Sequence, residues 1–195
     1  MAIIIRLTLL FLVLFNVAAC TIPHHIATDY PQYLANNAGR ADFQNTDRVA
    51  EYALTPSTEQ HRYEFRAAVT GYANLWIVEF GEMLDATLRS ADIQRAFGQL
   101  VKARDTSATE ADVLVFDLQS YSFEDFGAHV ALKISVRSSD GVVFEKIYSE
   151  TGKSQGGKMF WGGAFAQKNA VQQSTKLALD EIMRQVILDL NASNW

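Results

Sequence analysis

One cysteine stands in 195 residues, at position 20. With no second thiol the chain closes no internal disulfide, so its fold rests on packing alone. Basic residues are also short: 17 Lys and Arg face 22 Asp and Glu. That acidic balance argues against nucleic acid and against an electrostatic hold on anionic lipid. After the N-terminal stretch no segment offers 18 uninterrupted apolar residues, which excludes a later spanning helix. Enzyme signatures are missing as well. The histidines are His24, His25, His61 and His129, with no H-E-x-x-H helix and no Gly-x-Ser-x-Gly elbow. The chain reads as a non-enzyme. It is nonetheless 49% hydrophobic and 20% charged, enough to bury a core.

Met1 to Ala19 carries a single charge, Arg6, followed by the apolar run Leu7 to Val13. A basic start, a short apolar centre and a small-residue cleavage site define a secretory signal, and the run is too short to span a bilayer comfortably. Two small residues, Ala18 and Ala19, precede Cys20. Val17-Ala18-Ala19-Cys20 resembles the lipobox of bacterial lipoproteins. The resemblance implies cleavage before Cys20, diacylglycerol on its thiol and a further acyl chain such as palmitate on its new amino group. Two or more chains give stable anchoring where one is marginal. The next residue is Thr21, not aspartate. By the sorting rule of many Gram-negative bacteria this implies delivery to the outer membrane, facing the periplasm. Loss of Arg6 with the leader lowers the net charge to −6 (16 − 22).

The mature chain suits one domain behind a tether: 1–19 as signal peptide, 20–45 as a flexible tether, 46–195 as a single domain. The tether holds Pro23, Pro31, Asn36-Asn37 and Gly39 without a sustained period. Its His24-His25 pair lacks the further ligands that a zinc site needs, so no metal or other cofactor is expected.

Strands are predicted at Asp47 to Leu54, Arg62 to Arg66, Phe97 to Val101, Ala111 to Phe123, Ala128 to Arg137 and Val142 to Glu150. Val113 to Phe116 is apolar on both faces, which places it centrally in the sheet. Asp140-Gly141 marks a hairpin. The spacing of Ile77, Phe80, Leu84, Leu88 and Ala91 predicts a helix over 73–97, capped by Asn74, with Gly81 admitting a close strand. A final helix over 164–190 presents Val171, Thr175, Ala178, Ile182, Val186 and Leu190 on one face, with Asp180 and Arg184 as a surface pair. The expected fold is α+β: a two-layer sandwich of a mostly antiparallel sheet, about four to six strands, packed by two amphipathic helices. Element order is loosely similar to small envelope-assembly lipoproteins, among them the lipopolysaccharide-assembly and curli-secretion lipoproteins.

Gly152 to Gly163 is the most unusual internal stretch, rich in glycine. Gly152 through Lys158 has the G-x-x-x-x-G-K spacing of a phosphate loop, but Met159 stands where the magnesium-binding hydroxyl belongs, so no nucleotide is expected. Lys158, Met159, Phe160 and Trp161 form instead a candidate contact for a partner or a lipid. Glycine permits both an exposed tip and a fold back into the core. Glu124-Asp125, an acidic pair, reads as turn residues at a strand end. The resulting expectation is a lipid-anchored envelope lipoprotein acting as a non-catalytic accessory or scaffold in envelope assembly or transport, with a protein partner. The alternative is a lipid- or glycolipid-binding module of an export system.

Overall fold

The computed structural model describes residues 21–103, 112–139, 141–154 and 159–193. The architecture is an α+β sandwich. Its larger sheet is built from β2 (Thr46–Leu54), β5 (Phe97–Lys102), β6 (Asp112–Glu124), β7 (Gly127–Ser138) and β8 (Gly141–Lys153), in the order β5-β2-β6-β7-β8. The last three form an antiparallel meander, while β2 runs parallel to both β5 and β6. A smaller sheet adds β1 (Ile22–His25), β3 (Arg62–Phe65) and β4 (Asn74–Glu79), ordered β1-β4-β3. The helices are α1 (Tyr30–Asn36), α2 (Pro56–Glu59), α3 (Phe80–Leu88), α4 (Ala91–Ala96) and α5 (Met159–Ala192).

The long helix α5 lies on β7 and β8. Its predicted stripe, Val171, Thr175, Ala178, Ile182, Val186 and Leu190, is buried throughout. Facing it are the alternating inward residues of β7: Ala128, Val130, Leu132, Ile134 and Val136. Backbone meets backbone at Gly152 on β8. A Cβ there would overlap the Ser174 carbonyl oxygen and stand 2.7 Å from the Ala178 amide nitrogen. Gly163, at φ 54° and ψ −137°, interrupts α5 near its start, so the regular helix runs from Ala164. β6 is central, as its two-faced apolar run predicts: Leu114 and Phe116 join the main core, while Val113 and Val115 pack with Ala53 on the other face.

An aromatic cluster joins the two sheets. Tyr63 and Phe65 of β3 meet Tyr121 and Phe123 of β6 at ring separations of 5.4 and 5.2 Å, and Phe80 closes on Tyr121 at 5.2 Å. Such pairs add ~1 kcal/mol each beyond the area they bury.

Several expectations are corrected. Much of the predicted tether is structural: β1 pairs in parallel with β4, and Ile26, Tyr30 and Leu34 enter the core. Pro31 sits in the first turn of α1, where its missing N–H costs nothing. The single helix over 73–97 is a strand followed by two short helices, and Asn74 opens β4 rather than capping a helix. Trp76, Ile77 and Val78 are all buried, so β4 lacks the alternation that marks a half-exposed strand. Gly81 does permit a close approach, but to the carbonyls of α2 rather than to a strand: an added Cβ would lie 2.5 Å from the Thr58 oxygen. Asp180 pairs with Lys176 at 2.5 Å, and Arg184 turns to Glu181. In the β7–β8 hairpin Ser138 pairs with Gly141, so Gly141 is the first residue of β8 rather than a turn centre, and Asp140 lies outside the described residues.

Candidate functional site

Cys20 lies outside the described residues. Thr21 is the first described residue and β1 begins at Ile22. Consecutive Cα atoms are about 3.8 Å apart, so Cys20 adjoins the fold with one residue between. Of the tether expected over 20–45, the stretch from Ile22 to Asn36 is built into the fold. Around this end, Arg66 donates to the Thr21 hydroxyl at 3.2 Å and also to the Tyr72 carbonyl. Both contacts fix the loop between β3 and β4 beside the chain entry.

The direction of α5 relates its start to the same end. Gln172 Nε2 donates to the Ile26 carbonyl at 3.1 Å and to the Asp29 carboxylate at 2.6 Å, and Lys168 reaches Asp29 at 2.8 Å. Further along both segments, Lys176 lines a groove with Leu34 and Ala35. The 22–36 segment and α5 therefore run in the same sense. Moving back from that contact, β1 rises about 13 Å to Ile22 and α5 about 10 Å to Phe165, at ~3.3 and ~1.5 Å per residue. A 3-10 turn, Ala68–Thr70, packs on α5.

Of the sequence-predicted contact residues, Lys158 lies outside the described residues, as does the rest of the 155–158 segment. Met159, Phe160 and Trp161 have helical backbone at the start of α5, and their side chains lie outside the description. Sequence reasoning missed three exposed apolar residues at this end: Ile22 (50% exposed), Tyr72 (72%) and Phe165 (89%). Phe165 falls off the buried stripe of α5, which is the one signal that places it outward.

Both histidines of the expected tether are engaged. His24 stacks on Trp76 at 4.4 Å and contacts Asn74 at 2.7 Å, while His25 bonds to Glu79. Strand alternation sends adjacent side chains to opposite faces, so the two rings do not converge. Among the described residues no group of three His, Cys, Asp or Glu is placed to hold a metal. His129 is exposed and shares a 3.0 Å hydrogen bond with Thr151. Glu124 ends β6, and Asp125 and Phe126 form the two-residue turn, both at positive φ.

The groove noted above has a volume of about 340 Å³. Leu34, Ala35, Ala86 and Ala91 line its apolar part, with Asp92 and Lys176 at its polar side. Burial raises the Asp180 carboxyl above the usual carboxylate range despite the Lys176 ammonium beside it. A second cluster links the sheet to α3. The Tyr52 hydroxyl donates to Asp85 at 2.9 Å, and Asp85 also meets Arg89 and, at 3.3 Å, Lys102. Burial, then the carboxylate, pushes the Tyr52 phenol well above its ordinary value. Arg95 pairs with Asp92 and Lys102 also with Glu59, so in each cluster two cations meet two carboxylates.

No family model matches the chain, and no curated protein matches it. Among solved structures it is similar to protein XCC0632 from Xanthomonas campestris, described as a DUF330 protein, at 14% identity and a TM-score of 0.49; the match covers 77% of this chain and 89% of that one. It is also similar to the hypothetical protein CT253 from Chlamydia trachomatis, at 11% identity and a TM-score of 0.40, covering 74% and 99%. A third structure, of an uncharacterized protein, aligns at 15% identity with a TM-score of 0.42, covering 75% and 95%.

Proposed function

We propose that the chain is a lipid-anchored lipoprotein of the bacterial envelope, held by Cys20 in the outer membrane on its periplasmic side. Its role is that of a non-catalytic accessory that binds a protein partner in envelope assembly or transport. The observation that carries this reading is the position of the only cysteine: it closes the Val17-Ala18-Ala19-Cys20 site and abuts a packed domain by one residue. No helix among the described residues is long and apolar enough to cross a membrane, so on this reading attachment falls to the lipid. Cys20→Ser is expected to release the protein from membranes or leave an unprocessed precursor. A variant that stayed processed and membrane-bound refutes the anchor.

Support for a protein partner comes from β8. It is a 13-residue edge strand with Val142 56%, Val143 39% and Ile147 58% exposed. An edge strand presents unpaired backbone groups ready to accept a further strand. A photo-crosslinker at Ile147, activated in native envelopes and followed by mass spectrometry, is expected to capture a protein. Capture of phospholipid alone overturns the scaffold reading. The groove between α1 and α4 supports the second reading, a lipid- or glycolipid-binding module. Its volume of about 340 Å³ sits at the small end of ligand pockets, roughly 300–1,000 Å³.

A further inference from the structure

We infer that the end of the domain next to Cys20 is a membrane-contact collar, in which Ile22, Tyr72 and Phe165 enter the boundary between lipid headgroups and acyl chains. The inference rests on the lipid anchor proposed above and adds an orientation to it. One residue separates the anchored cysteine from β1. A lipid on Cys20 thus draws this end of the fold to within several ångströms of the bilayer surface. What lies at this end then decides how the domain meets the lipid.

Three large apolar side chains lie there, on three separate elements: the first residue of β1, the β3–β4 loop and the first regular turn of α5. At 89% and 72%, Phe165 and Tyr72 are the two most exposed large hydrophobics among the described residues. In water each leaves apolar surface unburied, which a lipid environment would cover. Tyrosine combines an apolar ring with a polar hydroxyl and concentrates at membrane interfaces for that reason. Arg66 is exposed beside Tyr72. Its contacts to Thr21 and the Tyr72 carbonyl use two N–H groups, and a guanidinium has five, leaving donors for lipid phosphate. The overall charge is negative, so the contact is apolar insertion beside one cation rather than adsorption of a basic surface. The exposed apolar residues of β8 belong to a different part of the molecule. Ile147 is paired with Lys133 in mid-strand, and Lys146 reaches Asp189 near the far end of α5.

The test uses the mature, lipid-modified full chain, in which Cys20 has no free thiol. Tyr72→Cys, Phe165→Cys and, as a reference, Ile147→Cys each introduce one thiol for an environment-sensitive fluorophore. The labelled proteins are placed in vesicles of phosphatidylethanolamine and phosphatidylglycerol containing spin-labelled lipid as a quencher. Quenching at 72 and 165 is expected to exceed that at 147 several-fold. Equal quenching at the three positions overturns the collar. So does a blue-shifted but unquenched signal at 72 and 165, which means coverage by protein, including a second copy. Palmitate incorporation is measured on the same preparations. Incorporation without quenching at 72 and 165 leaves the anchor standing and refutes the collar alone; absence of incorporation refutes the anchor, and the collar with it.

Discussion

Gly152→Ala is a direct trial of how α5 is held. The new methyl group would overlap the Ser174 carbonyl oxygen and stand 2.7 Å from the Ala178 nitrogen and 2.9 Å from the Ser174 carbonyl carbon. Ordinary contact begins at 3.4 Å, so at the amide nitrogen alone the helix must withdraw by at least 0.7 Å (3.4 − 2.7). These neighbours are backbone atoms, and no rotamer change relieves them. Withdrawal also loosens Val171, Thr175, Ala178 and Ile182, all fully or almost fully buried. Overpacking a well-filled core costs ~1–3 kcal/mol and at times more; with backbone on both sides the expected loss is about 3 kcal/mol or above. At ~2–4 °C per kcal/mol for a domain of this size, the melting temperature should fall by about 6–12 °C. Circular dichroism of the full chain in detergent measures this. Gly39→Ala is the control: nothing lies within 4 Å of its added carbon, and only its φ of +78° resists the change, at a cost of ~1–2 kcal/mol. If Gly152→Ala melts within about 2 °C of the parent, the close contact between β8 and α5 is refuted. The result also separates a packing glycine from the first glycine of a phosphate loop, whose substitution has no reason to unfold a helix–strand interface.

Lys176→Met leaves Asp180 buried without its ammonium partner, and removal of one member of a buried pair costs roughly 3–5 kcal/mol. The double variant Lys176→Met, Asp180→Leu should recover most of that loss in the same melts; failure to recover would show that the pair is not the source. His61 offers a pH test. Its ring meets Phe80 edge-on at 6.3 Å, its Nε2 has no hydrogen-bond partner among the described residues, and burial holds its pKa below the ordinary 6.5. The unfolded chain therefore takes up this proton first as pH falls. Its contribution is intact above about pH 6.5 and is lost below it, through the depressed folded value. Chemical denaturation of His61→Phe at pH 7.5 and 5 should show a smaller drop in stability than the parent; an unchanged drop assigns the pH dependence elsewhere.

Where the pattern repeats, the sequence is legible. The stripe of α5 recurs over five turns with helical period, and every member is buried. β7 alternates over nearly its whole length, and β6 announces itself by two-faced apolarity. The region over 73–97 misleads for a physical reason. Phe80, Leu84 and Leu88 do mark one face of α3, and Ile77, three residues earlier, continues the spacing by accident from inside a strand buried on both sides. Ile26, Tyr30 and Leu34 stand four apart in the segment read as a tether. Three positions are too few to establish a period, and Pro31 looks like a breaker until it is placed in a first helical turn. Exposure is harder still. Tyr72 and Phe165 have the composition of core residues, and only tertiary placement turns them outward.

On the proposed reading, the loss of the tether changes what an anchor at Cys20 does. A flexible chain of 25 residues would give the domain a mean reach of about 25–30 Å and free rotation, so a partner could find any face at any height. One intervening residue removes both freedoms. On that reading α5 points its start toward the lipid, because it runs in the same sense as the segment leaving Cys20. β8 is antiparallel to α5: its Gly152 meets Ser174, whereas its Lys146 meets Asp189. Its edge therefore runs from the far end of the domain toward the Cys20 end over about 40 Å, at ~3.3 Å per residue. A partner that pairs with this edge is held at a fixed height and in one orientation relative to the bilayer. On the proposed reading, that is work a rigid lipid-attached accessory can do and a tethered one cannot.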